Sequence, residues 1–346
     1  MRRSNNPVAT SQEPARSTDS ISVSRRTDRK TADMYPLLFR CPICGSNLVH
    51  EDTTLRCDLG HLFPCQNNVI DFSGNSIDPV QERTRNSFEV EWNKYYPTLG
   101  WTPSDISTET EMFLSYTRSM PNFFAAKVVV DAGCGNGRYI NILNRISDPA
   151  PRLIIGIELS DNVYLAAKNC SDYDNVVMLK MDLNLLPRVL KEPVDYVYSI
   201  GVLHHTPDAR KSFLNLAGCV KQGGFFSTFL YGKGNPILYR VNSYLRNRLF
   251  RRWPHRLVYH LCVLAAIPCQ LFRIKFFGPW MADLVTRFVF VSSNVHNMFD
   301  AYTAGFTSFH DRREVEQWYR EAGFDHVVEE HLNRTSLYCI GRAGER

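Results

Sequence analysis

The run Val128-Val129-Val130-Asp131-Ala132-Gly133-Cys134-Gly135-Asn136-Gly137-Arg138 constrains this chain more than any other feature. Three β-branched residues read as a buried strand that ends in an acid. Three glycines at alternate positions then turn the backbone into a helix. Glycine suits a backbone that must turn sharply while another group approaches it closely. Strand, glycine turn and helix in that order predict the first crossover unit of an open parallel sheet. The spacing also separates ligand classes. A dinucleotide loop reads G-x-G-x-x-G and offers a helix N-terminus to a pyrophosphate. Here Gly133, Gly135 and Gly137 follow Asp131, and a carboxylate there suits a cationic amino-acid moiety better than a phosphate. A side chain at Gly133 or Gly135 is expected to intrude on the ligand. The bland alternative is a glycine-rich turn that holds nothing.

From Lys127 onward, short β-branched runs alternate with amphipathic segments, as in a parallel sheet with crossover helices. Strands are expected at 128–130, 152–157, 176–179, 194–200 and 224–230. Two closing strands are expected at 324–330 and 336–341, the second antiparallel. Helices fall near 137–147, 160–170, 208–220 and 312–322. Two more acids stand at strand ends. Glu158 closes the second strand, where a carboxylate can accept from both ribose hydroxyls, and Asp182 follows the third, within reach of an adenine amino group. Either acid alone is ordinarily a solvated loop residue. Three at consecutive strand ends make the ligand crevice of an open α/β sheet.

These residues resemble the core of class I S-adenosylmethionine-dependent methyltransferases, of the type 11-like group. The resemblance covers 127–231. It rests on Asp131 to Gly137, Glu158-Leu159-Ser160, Asp182-Leu183, the segment Asp195 to Asp208 and Val220-Lys221-Gln222-Gly223-Gly224. It implies a Rossmann-like α/β fold with a seven-stranded sheet. It also implies S-adenosyl-L-methionine as cofactor, held by Asp131, Gly133, Cys134, Gly135, Gly137, Glu158, Leu159, Asp182, Leu183 and Ser199. The amino-acid end would lie on Asp131 and the loop, the ribose on Glu158 and the adenine on Asp182. Residues 199–205 would wall the cofactor from the acceptor. His204 and His205 follow the fourth strand, and His205 is the better candidate for a general base. The competing reading packs both histidines as structure, since a base is recognised only against a substrate pose.

Ahead of this core, Cys41-Pro42-Ile43-Cys44 reads as a zinc knuckle, with Cys57 and His61 completing four soft or borderline ligands in a short span. A module of about 30 residues has too small a core to fold without such a staple. Cys65 competes with His61 for the fourth position. The Cys57-x3-His61 spacing favours His61, because it resembles the zinc site of bacterial ribosomal-RNA guanine-N1 methyltransferases. The module also resembles small zinc ribbons that activate tRNA methyltransferases. With no ligand position left open, the zinc is expected to be structural.

The organisation read from the chain is a disordered polar tail at 1–35, a zinc-ribbon-like module at 36–75, a helical extension at 76–125, the cofactor-binding core at 126–235, a helical basic and aromatic insert at 236–295, and a C-terminal completion of the sheet at 296–346. The net charge of +5 is unevenly spread. Residues 236–292 hold nine basic residues against the single acid Asp283. Within them, Leu257 to Phe272 is mostly apolar but broken by His260 and Pro268, too short to span a bilayer. An apolar helix flanked by arginines fits an interfacial element, or a lid over a greasy substrate. A packed insert and an RNA-binding element are the alternatives. Scattered cysteines and the lack of an apolar leader after Met1-Arg2-Arg3 predict a reducing, cytoplasmic setting, with peripheral contact at the inner membrane face. The expected activity is methyl transfer to a small-molecule or lipid-like acceptor. An rRNA or tRNA methyltransferase is the runner-up, and a non-catalytic partner protein that keeps the fold is the third reading.

Overall fold

In the computed structural model, the described residues are 35–74, 79–92, 102–233, 244, 248, 250, 253–275, 295–333 and 336–344. The expected disordered tail falls outside them except for Tyr35, as does much of the expected insert.

Seven strands build the predicted sheet: β5 (Val128–Ala132), β6 (Leu153–Glu158), β7 (Val176–Lys180), β8 (Val194–Ile200), β9 (Val220–Tyr231), β10 (Phe324–Asn333) and β11 (Ser336–Ala343). Their order is β7-β6-β5-β8-β9-β11-β10. The first five strands run parallel, and β11 is antiparallel to both β9 and β10. This is the Rossmann-like arrangement expected from the sequence. Period-two alternation splits the side chains between two faces. Val130, Ile155 and Val177 face a core completed by Phe213, Phe226 and Trp318. Val129, Ile154 and Val176 face one completed by Phe113, Phe124 and Tyr139.

The helices lie close to the predicted segments: α4 (Arg138–Ile146), α5 (Asn162–Asn169), α7 (Ala209–Ala217) and α10 (Arg312–Glu321). Asp311 opens α10 through a capping box with Glu314, which satisfies two first-turn amides at once. Short helices α1 (Tyr35–Leu38) and α6 (Leu186–Val189), with α2 (Pro79–Val90), α3 (Pro103–Thr117), α8 (His255–Lys275) and α9 (Val295–Thr303), complete the set. Helix α8 is unbroken, although Pro268 within it has no N–H to offer the Leu264 carbonyl.

The sheet is larger than seven strands. The cysteine module forms β1 (Leu48–Glu51), β2 (Thr54–Cys57), β3 (Leu62–Gln66) and β4 (Val69–Asp71), and these extend the same sheet to eleven strands. The junction is β4 lying parallel to β7, with Ile70 opposite Leu179 and Asp71 opposite Lys180. An unpaired β7 edge would expose a row of backbone donors and acceptors, and β4 covers it. Side chains seal the joint. Phe39 and Ile70 are fully buried in one cluster with Leu186, Val189 and Leu190. Arg40 donates to the carbonyls of Pro187 and Arg188.

If the module and the sheet share one core, Ile70→Ala should cost about 2–5 kcal/mol and lower the stability of the whole chain. Urea unfolding followed by both near-ultraviolet and far-ultraviolet dichroism would show one transition shifted as a unit. A separate early transition, with the main one unmoved, would contradict the shared core.

Candidate functional site

The glycine loop leaves β5 at Ala132 and enters α4 at Arg138. Gly133 and Gly135 have φ of +101° and +55°, where other residues are strained. Their missing side chains make room for the chain itself. A Cβ at Gly133 would lie 2.2 Å from Val202, and one at Gly135 would lie 3.2 Å from the Trp92 indole. These contacts with the chain itself stand beside the expectation that a side chain there would intrude on a ligand. The loop is pinned by the Ile157 carbonyl, which accepts from the amides of Gly133 and Cys134 at 2.8 and 2.9 Å. Cys134 is buried, and burial raises its thiol pKa, so it serves as packing.

Three acids meet around this loop. Asp131 is buried, and its Oδ2 has no hydrogen-bond partner among the described residues. Burial pushes its pKa up to about 7. The Tyr198 hydroxyl and Arg138 pull it back, while Glu158 pushes the same way as burial. Glu158 accepts from the Gly135 amide at 3.2 Å and from the Ser160 amide and hydroxyl at 2.9 and 2.8 Å. Its pKa is also raised, chiefly by burial. Asp182 caps the turn Leu183–Leu185 by accepting from the Asn184 amide, and it also accepts from Gln81 Nε2 at 2.8 Å. Leu159 is half-buried and Leu183 buried beside these acids. Ser199 is fully buried, and its hydroxyl donates to the Ala132 carbonyl at 2.9 Å. That bond ties β8 to β5, so the hydroxyl serves the sheet.

Beyond β8, the turn Leu203–His205 forms a wall with the end of β9. His204 is fully buried and stacks on Tyr231 with ring centroids 3.9 Å apart. Burial drives its pKa well below the ordinary histidine value, so the ring is neutral. His205 faces an acceptor at each ring nitrogen. Nδ1 lies 3.0 Å from the Phe306 carbonyl, so it must carry a proton. Nε2 lies 3.2 Å from Asp300 Oδ1, and Tyr231 donates to the other oxygen of that carboxylate at 2.9 Å. Burial alone would lower the pKa of His205, but Asp300 and the Phe306 carbonyl raise it. With Nδ1 facing the Phe306 carbonyl and Nε2 facing Asp300, the ring is oriented by two acceptors, and Asp300 favours its charged form.

Several residues around this crevice were not singled out from sequence. Helix α2, with Glu91 and Trp92 after it, lies across the crevice. Gln81 reaches Asp182, Phe88 meets the His205 ring edge-on at 5.1 Å, and Trp92 lies over Gly135. Ser87 hydrogen-bonds Thr303, and the Phe88 carbonyl accepts from Asn162 at 3.0 Å. The helical spacing of Phe88 and Trp92 was the available signal. It shows a face that packs, without naming what the face packs on.

The metal cluster is distinct from this crevice. The ligand atoms of Cys41, Cys44, Cys57 and His61 all lie within 4.8 Å of one another. Cys44 Sγ and Cys57 Sγ are 3.7 Å apart, and Cys41 Sγ is 3.7 Å from His61 Nδ1. A tetrahedron of 2.3 Å zinc–sulfur bonds has edges of about 3.8 Å, so the donor set has the size for zinc. Cys65 is buried outside the cluster, and burial pushes its thiol up to about 12. The donors thus assemble around His61, and the module is zinc-ribbon-like.

Residues 130–228 match the family model described as a methyltransferase domain. Among curated proteins, a tRNA (carboxymethyluridine(34)-5-O)-methyltransferase of Arabidopsis thaliana is 35% identical over 32% of this chain and 25% of its own length. A tRNA U34 carboxymethyltransferase of Campylobacter curvus is 27% identical over 40% of this chain and 47% of its own. The chain thus spans at most half the length of these relatives. A solved structure, phosphoethanolamine N-methyltransferase 2 of Haemonchus contortus with S-adenosyl-L-methionine, is 11% identical. That match covers 75% of this chain and 60% of that one, with a TM-score of 0.44.

The His205–Asp300 pair gives a pH signature. The histidine pKa is raised on folding, so the pair's stabilisation is fully present below the unfolded value of about 6.5 and is lost as pH rises through the folded value. The melting temperature should fall over that window in the native protein. In Asp300→Asn this part of the dependence should vanish. An unchanged pH profile in the variant would contradict the ion pair.

Proposed function

We infer that this chain, through the methyltransferase domain that residues 130–228 match, is an S-adenosylmethionine-dependent methyltransferase acting on a small-molecule or lipid-like acceptor. The observation that carries the first half is the meeting of Asp131, Glu158 and Asp182 at consecutive strand ends around the glycine loop. The site fits that cofactor. Asp131 keeps a buried carboxylate oxygen without a partner, which suits a cationic amino-acid end. Glu158 suits the ribose hydroxyls and Asp182 the adenine amine, in exchange for Gln81. Bound there, the cofactor supplies an electrophilic methyl group on a sulfonium. The chain's own work is to orient the two partners and exclude water, which accounts for much of the rate in such a transfer. Trp92 and Phe88 cover the crevice, and His204, His205 and Tyr231 wall it. Intact strand-end acids weigh against a non-catalytic partner protein.

Charge guides the choice of acceptor. Residues 236–292 carry +8 and residues 1–35 carry +3 of the chain's +5, which leaves −6 on everything else. Outside those two segments a polyanion gains little from a surface of that sign. The second reading is RNA, because the curated relatives are named for tRNA position 34. Their similarity spans only about a third of this chain.

The zinc reading completes the proposal. Cys41, Cys44, Cys57 and His61 would hold a structural ion, with no position open for chemistry.

Three experiments test these assignments. Purified chain with methyl-labelled cofactor and separated lipid, small-molecule and RNA fractions should place label in one of the first two. Label confined to RNA would install the second reading, and no label in any fraction would remove the enzyme. Glu158→Ala should weaken cofactor binding at least tenfold by calorimetry, and unchanged affinity would remove its ribose role. Elemental analysis should find one zinc per chain, lost in Cys44→Ser and kept in Cys65→Ser. Loss in Cys65→Ser with retention in His61→Ala would reverse the ligand assignment.

A further inference from the structure

Helix α8 (His255–Lys275) has two apolar faces. Val258, Cys262 and Ala266 recur every four residues and are buried against Met298 and Phe299 of α9. That face is the ordinary one by which an amphipathic helix joins a core. The other face is exposed although it too is apolar. Leu257, Leu264 and Ile267 are 47%, 61% and 47% exposed. Successive residues turn by 100°, so these three lie within an arc of about 80° on one side of the helix. His260 falls within that arc and is exposed as well. Three large aliphatic side chains aligned on one exposed face need an occupant.

Charge selects that occupant. Between Asn235 and Asp283 the sequence contains no acid, and it carries eight arginines and lysines. Among the described residues there, Arg248 and Arg256 are exposed, and so is Tyr244 at 64%. A stripe of Leu and Ile with Arg256 beside it, in a segment rich in arginine, is the composition of a helix lying in the plane of an anionic bilayer surface. The cations meet lipid phosphates while the aliphatic chains enter the acyl boundary. A nucleic acid would use the arginines but would leave Leu257, Leu264 and Ile267 in water. Among the described residues no helix is long and apolar enough to cross a membrane, so the helix would lie on the surface.

We propose that the outward face of α8, formed by Leu257, His260, Leu264 and Ile267 with Arg256 beside them, docks this protein on an anionic lipid surface. The proposal goes beyond methyl transfer and does not rest on it. Vesicle binding and cofactor binding can each fail while the other succeeds.

The test is flotation of the full chain with vesicles of phosphatidylglycerol and phosphatidylcholine, compared with phosphatidylcholine alone. Native protein should float with the anionic vesicles and much less with the neutral ones. Leu257→Gln/Leu264→Gln/Ile267→Gln should lower the bound fraction at least tenfold. Leu59→Gln, an equally exposed leucine on the zinc-ribbon-like module, should leave it unchanged. Far-ultraviolet dichroism and the melting temperature report whether each variant is folded, and Leu264→Gln alone serves if the triple variant is not. Failure of the native protein to float would overturn the proposal. So would flotation that survives the aliphatic substitutions, or binding of bulk RNA in place of vesicles with the same variants unaffected.

Discussion

Two carboxylates, the buried Asp131 and the half-buried Glu158, stand at the ends of adjacent strands, and the surrounding structure answers to that. Placing charge in a low-dielectric interior is costly unless partners are supplied. Glu158 finds them in the Gly135 amide and Ser160, so one acid also fixes the shape of the glycine loop. Asp131 keeps one oxygen unmatched, and its pKa near 7 records the imbalance. Relative to an ordinary aspartate, ionising it in the fold costs on the order of 4 kcal/mol. The fold accepts that cost at a place where a bound cation would relieve it.

The elements around the crevice are held by polar bonds as much as by apolar packing. Helix α2 reaches Asp182 through Gln81 and α9 through Ser87. Helix α9 in turn supplies Asp300 to His205 and Tyr231. A change at the cofactor end can therefore reach the acceptor wall without crossing the sheet. On the opposite side, the zinc-ribbon-like module is continuous with β7 through β4, two residues from Asp182. The Cys/His cluster thus sits in the module that covers the strand edge leading to Asp182.

Much of this was legible in the sequence. Strong period-two runs and the glycine loop marked the seven core strands, because burial on both faces leaves few other readings of Val128 to Val130 or Leu153 to Ile157. The strand-end acids were legible for the same reason. Pairing between distant segments was not. Nothing local to Val69-Ile70-Asp71 says that it extends the main sheet, since the partner strand lies more than 100 residues on. That His205 faces Asp300 was not legible either, because the carboxylate comes from a helix 95 residues later. That Val202 and Trp92 pack against Gly133 and Gly135 was not legible, since both come from distant segments. Hydroxyl roles such as that of Ser199 depend on which carbonyl lies opposite, and motif spacing carries no such information.

The central claim is that Asp131 waits for a cation. Calorimetry of S-adenosylmethionine binding near pH 7, repeated in buffers of different ionisation enthalpy, tests it most directly. Because folding raises the pKa of Asp131 to about 7, the acid is partly protonated there, and a bound cation should lower that pKa and drive the proton off. The account predicts net proton release that disappears in Asp131→Asn. Binding with no proton release, or release that persists in the variant, would contradict it.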